Sequence, residues 1–414
     1  MRNIYTSIDI GSDTIKVIVC ELFNNKVNLL ASSSIKSKGI KKGTVVDVDE
    51  AVITVKKAVE EVETKLGIKI KEVLTTIPSS NAAFNLINGS IAITNEDGII
   101  TGDDIISVLQ QGMKIEEVNM EMVTIIPIRF IIDGKELTNS PKGRKASRLD
   151  SKAILVTAPG KNIYEILKVF EKCNLEVLDI SISGICDMYA LRSSELKDKV
   201  GVIVNMGSDV TSISLYNKGI IIDNRVITTG GKTIDNDLAY LYKTSMIEAK
   251  KLKEKFAVAI PKYASVNDIY DVLAEDGKVV KVNQREVSEA VAARLEEILK
   301  QIKMEIRDIT TKDLDYIIFT GGLSNMAYVE YMIENVCGPI AKIGKVNIVG
   351  LRNNKYSTCL GSIVYYINKQ MLKGEFASMV DDHTIDSLSS LKKNMLNVSN
   401  SSMLGKVAEY FFGE

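Results

Sequence analysis

Along residues 4–19, apolar positions run up to a polar break and resume after it. Ile4, Tyr5, Ile8 and Ile10 lead into Gly11-Ser12-Asp13, and Ile15, Val17, Ile18 and Val19 follow. This predicts a β-hairpin with a tight turn at 11–13. The layout returns at 201–216, where Val202, Ile203 and Val204 precede Asn205, the turn is Gly207-Ser208-Asp209, and an alternating strand runs back to Tyr216. The two copies lie far apart, so each is expected to head its own half of the chain. A third stretch, 316–325, reads as a buried strand that enters Gly321-Gly322 and then a helix.

Between these stretches the patterning predicts further elements. Helical spacing appears at 49–66 through Val52, Val55, Val59, Val62 and Leu66, at 103–117, 162–173, 183–193 and 358–372, and at 287–306 through Val291, Leu295, Ile298, Ile302 and Ile306. Strands are expected at 27–31, 71–78, 90–94, 123–132, 153–158, 177–181 and 220–227, and around the Asp276-Gly277 turn within 263–282. Residues 39–48 read as a loop with a short strand, and 137–149 as a basic loop. The stretch 248–256 reads as a Lys-rich helix whose charged face is solvated.

Composition narrows the possibilities. At 414 residues the chain predicts more than one domain, and 45% apolar residues supply large cores. The charge is balanced, 52 basic against 53 acidic, which disfavours nucleic acid as the main partner. No run reaches the roughly 18 apolar residues of a spanning helix, and the N-terminus enters a strand directly, so no signal peptide is expected. Five Cys lack CxxC spacing, with Cys20 and Cys359 in apolar core segments, which points to a reducing compartment. His383, in a polar stretch near the end, is the only histidine, which argues strongly against a Ser/His triad or a His-based metal site. Chemistry must rest on carboxylates, amides, Lys and a bound cation.

The first turn suits phosphate. Gly11 allows close approach of a ligand, successive turn N–H groups can form an anion nest, and Lys16 can reach back to the same phosphates. Asp9, at the strand end, suits a phosphate-bound Mg²⁺ held through water. Taken alone this turn is equally an ordinary hairpin. The second copy changes that, because two such hairpins facing each other would grip a triphosphate from both sides. Gly321-Gly322 leaves room for a flat ring, and the following helix N-terminus tolerates negative charge.

The order hairpin, long insertion, hairpin, Gly-Gly strand resembles the actin/Hsp70/sugar-kinase ATPase superfamily. Residues 9–16 resemble its first phosphate loop, 205–211 its second, and 320–325 its adenosine loop. Within it, residues 3–370 and the arrangement of the tail resemble the bacterial cell-division family FtsA. The run Pro141-Lys142-Gly143 to Arg148-Leu149 resembles that family's Pro-x-Gly-x-x-x-x-Arg-Leu pattern, with Arg144 where the family usually carries Met. The stretch 228–238 resembles its Gly-Gly-x-x-Ile-Thr-x-Asp-Ile motif, although Asp235 or Asn236 could simply cap a helix there.

The resemblance implies an α/β, actin-like two-lobed ATPase fold with an inserted α+β subdomain of the FtsA 1C type. Its expected divisions are 1–78, the insert at 79–160, 161–200, a second lobe at 201–372, a flexible linker at 373–402 and an amphipathic helix at 403–414. It implies ATP and Mg²⁺ as cofactors. The nucleotide residues would be Gly11, Ser12, Asp13, Lys16, Gly207, Ser208, Asp209, Gly230, Gly231, Lys250, Lys253, Glu254, Gly321, Gly322, Leu323, Ser324 and Asn325, with Asp9 and Asn205 toward the metal. Lys250 stands where FtsA relatives often have Glu, Ser208 where actin has Asp, and Asn205 where active members carry a carboxylate. The expectation is therefore ATP binding with slow or negligible hydrolysis.

In the tail, Met403, Leu404, Val407, Phe411 and Phe412 form the apolar side of the terminal helix, which in FtsA proteins targets the membrane. Lys406 is offset by Glu409 and Glu414 adds negative charge, so attraction to anionic lipid is weak and binding per chain is expected to be marginal, reinforced by polymerisation. The implied role is a division protein on the cytoplasmic face of the cell membrane at the division site. Its partners would be the C-terminal peptide of FtsZ, docking near 232–310, further copies of itself, membrane lipids and other division proteins. A PilM-like pilus scaffold and a sugar-kinase or Hsp70-branch ATPase are the alternatives.

Overall fold

The computed structural model describes residues 3–374, apart from Glu116 and Lys197, together with Met379. The rest of the expected linker and the terminal helix, with Met403, Leu404, Val407, Phe411 and Phe412, lie outside the described residues.

The predicted first hairpin is β1 (Asn3–Ile10) and β2 (Thr14–Phe23), in a register that sets Asp9 opposite Lys16. β3 (Lys26–Lys36) continues the meander well beyond the expected 27–31. A tight hairpin, β4 (Ile40–Lys41) and β5 (Thr44–Val45), leads to α1 (Val48–Leu66), which Asp47 caps and Gly67 ends at φ 68°. β6 (Glu72–Ile77) follows, then β7 (Ala83–Ala92), α2 (Gly102–Gln111), β8 (Met120–Ile132), β9 (Glu136–Thr138) and β10 (Arg148–Pro159). The first half closes with α3 (Gly160–Lys172), β11 (Glu176–Ile182) and α4 (Ser183–Leu191).

The second half repeats the opening. β12 (Val200–Met206), β13 (Thr211–Asn217) and β14 (Ile220–Ile227) form another meander. After it come α5 (Gly231–Tyr242), α6 (Met246–Lys251), β15 (Ile269–Leu273), β16 (Val279–Asn283) and α7 (Gln284–Ile309). β17 (Tyr316–Thr320), α8 (Val329–Cys337), β18 (Ala341–Ile343) and α9 (Ser357–Lys373) complete it.

The sheet orders show the duplication. One sheet runs β11-β6-β1-β2-β3 and the other β18-β17-β12-β13-β14, each an antiparallel meander extended by two parallel strands. At matching positions, Asp9 faces Thr76 in the first sheet and Asn205 faces Thr320 in the second. Each sheet has its own large apolar core. A four-stranded antiparallel sheet, β7-β10-β8-β9, carries α2 on a smaller core around Phe130 and Leu149. Helices α4 and α9 meet backbone to backbone, since a side chain on Gly361 would fall on the Cys186 carbonyl. No described helix is long and apolar enough to cross a membrane.

Some elements depart from their expected bounds. α2 stops at Gln111 rather than 117; Gly112 holds its C-cap position and packs so close to Asn88 that a Cβ would meet its backbone. β7 spans Ala83–Ala92 rather than 90–94, its pairing with β10 overriding a weak local pattern. The 137–149 loop is partly sheet, since Leu137 pairs with Ile131 and β10 begins at Arg148. The expected 248–256 helix is α6 followed by a π-helical turn at Leu252–Phe256.

Candidate functional site

The turns of the two hairpins face each other across a cavity of about 1050 Å³. From the first half it is lined by Asp9, Gly11, Ser12, Asp13 and Lys16; from the second by Asn205, Gly207, Ser208, Asp209, Gly231, Lys250, Lys253 and Glu254; and from the loop after β17 by Gly321, Gly322, Leu323 and Asn325. Two expected residues stand behind this lining. Gly230 packs under the second turn, where a Cβ would come within 2.5 Å of the Ser208 carbonyl. Ser324 is buried, donates to the Gly321 carbonyl at 2.8 Å and braces Asn354.

The glycines are tied to geometry. Gly321 has φ 90°, and a side chain there would meet Asn205 Oδ1 and the Met206 carbonyl. At Gly322 a Cβ would meet nothing within 4 Å, so this wall is open. The Gly207 N–H is already taken by the Val210 carbonyl at 3.0 Å, and the Gly231 N–H by the Gly207 carbonyl at 2.9 Å. These bonds set the loop's shape.

The charged groups are paired, which the sequence did not reveal. Lys16, its side chain 12% exposed, donates to Asp9 Oδ2 at 2.8 Å, while Thr76 donates to the other oxygen at 3.2 Å. Burial pulls the Lys16 pKa down, but the Asp9 charge and hydrogen bond outweigh it and hold the ammonium above its usual value. Lys250 bridges the cleft, donating to both oxygens of Asp13 at 2.6 Å, with Glu254 3.7 Å away. The β4–β5 turn also bridges it: the Gly43 N–H donates to Ser12 Oγ on its own side at 2.7 Å, and the Lys42 N–H reaches across to Asp209 at 3.0 Å.

Lys253 corrects the expected solvated face. It is 6% exposed, pairs with Asp235 at 2.7 Å and donates to the Gly231 carbonyl at 2.9 Å. The π-helical turn carries it inward. Asp235 is therefore not a cap: Gly230 holds the N-cap position of α5, and Asp235 lies inside the helix with its pKa raised by burial and pulled back by Lys253.

Behind the second turn lies a carboxylate that sequence reasoning missed. Asp187, on α4, is fully buried. It accepts from Asn205 Nδ2 at 2.7 Å, from Thr358 Oγ1 at 2.9 Å and from Ser357 Oγ at 3.2 Å. Burial pushes its pKa up to about 6, those three donors pull the other way, and Asp9 adds to the rise. The available signal was one charged residue inside an apolar helix, Ser183 to Leu191.

The donor set fits a hydrated cation held by phosphate better than a protein-caged metal. Among the described residues no cluster of three or more His, Cys, Asp or Glu side chains forms a metal cage. Asp9 and Asn205 offer one carboxylate and one amide to the cavity, and Mg²⁺ commonly keeps several waters beside one or two protein oxygens.

The family model "Cell division protein FtsA" matches residues 202–361, and the model "SHS2 domain inserted in FTSA" matches 81–157. The cell division protein FtsA of Bacillus subtilis (strain 168) is 26% identical over 376 residues, 90% of this chain and 86% of that protein. FtsA of Streptococcus pneumoniae serotype 2 is 28% identical over 355 residues, 85% of this chain and 78% of that protein. Among solved structures, the PilM-PilN type IV pilus biogenesis complex aligns with a TM-score of 0.59 at 13% identity, covering 88% of this chain and 98% of that one. MreB5 of Spiroplasma citri bound to ADP aligns at 0.55 and 11% identity, covering 90% and 99%. The MamK double helical filament aligns at 0.52 and 14% identity, covering 88% and 98%. At these identities the structural likeness speaks for the actin-like fold.

Proposed function

We propose that this chain is a cell-division protein of the FtsA type, a reading its likeness to the family models and to the curated relatives supports, and that it binds ATP with Mg²⁺ in the cleft between its two hairpins. The observation that carries this reading is the facing pair of turns, 11–13 and 207–209, around one cavity floored by Gly321 and Gly322. Gly11, Ser12 and Asp13 on one side, and Ser208 and Asp209 on the other, would border the phosphates, with Lys16 and Lys250 supplying positive charge. Lys253, Glu254, Leu323, Ser324 and Asn325 would shape the sugar and base end. Asp9 would hold the metal through water. When bound, Mg²⁺ would offset phosphate charge and link the nucleotide to both lobes.

Hydrolysis is slow in this reading. Asn205 has no basic function, and the buried carboxylate nearest to it, Asp187, is occupied by three donors. Nucleotide then acts by favouring a closed cleft, replacing the Asp13–Lys250 and Lys42–Asp209 bonds with its own contacts. The closed form polymerises on the inner face of the cytoplasmic membrane, holds FtsZ filaments there through their C-terminal peptide and recruits later division proteins. The apolar residues Met403, Leu404, Val407, Phe411 and Phe412 would provide the membrane contact, weakly per chain and strongly in a polymer.

The experiment is sedimentation with anionic lipid vesicles, with and without Mg·ATP, for the full chain and for a chain ending at Asn400. Co-sedimentation should require both the last residues and ATP. Equal behaviour of the two chains removes the membrane role.

A further inference from the structure

We propose that Asp187 is a positioning residue that locks the Asn205 amide with its nitrogen inward and its carbonyl oxygen toward the cleft, so that a cation in the cleft meets a neutral acceptor of fixed orientation. This deepens, and rests on, the nucleotide reading of the cavity.

An ionised carboxylate only accepts, whereas an amide has one accepting and one donating end. Asn205 Nδ2 lies 2.7 Å from Asp187 Oδ2 and 3.3 Å from Thr358 Oγ1, which accounts for both of its hydrogens. Turning the amide over would set its oxygen against the Asp187 carboxylate and leave the nitrogen toward the cavity. The carboxylate therefore selects one of two nearly isosteric orientations. Asn205 Oδ1 is left beside Gly321, where only the missing Cβ makes room for it, and both residues line the cavity.

Asp187 is itself held. Its other oxygen accepts from Ser357 and Thr358 at the start of α9, and Thr320, at the end of β17, donates to Ser357 at 3.0 Å. The chain of bonds thus joins α4, β12, α9 and β17. Asn205 and Thr320 are register partners, so the lock sits at the end of the second sheet, where the adenosine-type loop begins. Such buried, three-donor support is what fixes a ligand's orientation in a metal site, and disrupting it typically weakens metal binding roughly ten- to a hundredfold.

The pairing makes a sharp demand. Asn205→Asp puts a carboxylate in the cleft, yet sets it against Asp187 at the distance of the present hydrogen bond. Two ionised carboxylates so placed repel strongly. The exchange Asp187→Asn with Asn205→Asp keeps one amide and one carboxylate, reverses their places and turns the charge toward the cleft.

The test uses wild type, Asn205→Asp, Asp187→Asn and the exchange in the full chain, with two readouts. Melting temperature is measured without nucleotide or metal, and Mn²⁺ binding by electron paramagnetic resonance with AMPPNP present. Asn205→Asp alone should melt well below wild type or fail to fold, and Asp187→Asn should rescue it. The exchange should bind Mn²⁺ about tenfold more tightly than Asn205→Asp, the lower end of the range for supporting residues. An Asn205→Asp protein that matches the exchange in both readouts overturns the proposal, as does an exchange that fails to rescue. Failure of wild type to bind Mn²⁺ with AMPPNP counts instead against the nucleotide reading, and the melting cycle still decides the pairing.

Discussion

Replacing Asp187 by Asn should change how stability depends on pH, and in a direction opposite to that of most carboxylates. A surface-paired Asp usually has a depressed pKa and stabilises the fold as pH rises. Asp187 is buried, and its pKa stands at about 6 against an ordinary 3.8. The folded state therefore holds the proton more tightly than the unfolded chain does. Its contribution is fully present below 3.8 and is lost as pH rises through 6. The difference of about 2.2 pH units, at about 1.4 kcal/mol each, makes the charged form cost about 3 kcal/mol at pH 7. Between pH 5 and pH 7 the lost part is roughly 1.3 kcal/mol. Asn cannot titrate, so the stability of wild type relative to Asp187→Asn should fall by that amount over this range. The assay is thermal melting of nucleotide-free protein at half-unit steps from pH 5 to 7.5, where the difference amounts to about 1–2 °C, given an unfolding entropy of about 2.1 cal/mol/K per residue over 414 residues. Two parallel melting curves, or a wild type that gains on the variant as pH rises, would refute the reasoning.

Other outcomes follow from the same geometry. Gly321→Ala places a methyl against Asn205 Oδ1 and the Met206 carbonyl at φ 90°, so it should lower ATP affinity at least tenfold by calorimetry while α9 and both cores keep their fold by circular dichroism. Lys253→Met removes the partner of a 5%-exposed Asp235 and should cost about 3–5 kcal/mol in urea unfolding, the usual penalty for orphaning a buried charge. Adding Asp235→Asn to it should recover much of that loss. Asp13→Asn weakens the bond to Lys250 across the cleft and should raise the radius of gyration of nucleotide-free protein in X-ray scattering, with no change once Mg·ATP is present.

The duplicated hairpin was legible because an apolar run, a polar strand end and a small-residue turn are local properties. The register of β1 with β2 and of β12 with β13 follows from them. The amphipathic stripes of α1 and α7 were equally plain, and Val55, Val59, Leu295 and Ile302 are buried as their spacing implies. What the sequence hid was partnership across sheets. Nothing local says that Asp187 on α4 meets Asn205 on β12, or that Lys250 reaches Asp13 over 237 positions. Lys253 was obscured for another reason. Its neighbours alternate Glu and Lys as a solvated helix does, and only the π-helical turn rotates it onto Asp235. β7 was displaced because pairing with the long β10 extends it past its own weak alternation.

The central claim is that nucleotide sits between the two hairpins. Hydrogen–deuterium exchange of the full chain, with and without Mg·ATP, tests it most directly. Exchange should slow in four separate stretches, 10–16, 42–44, 205–211 and 321–325, and change little in the sheet β7-β10-β8-β9. Exchange in those four stretches that stays the same at saturating Mg·ATP would contradict it.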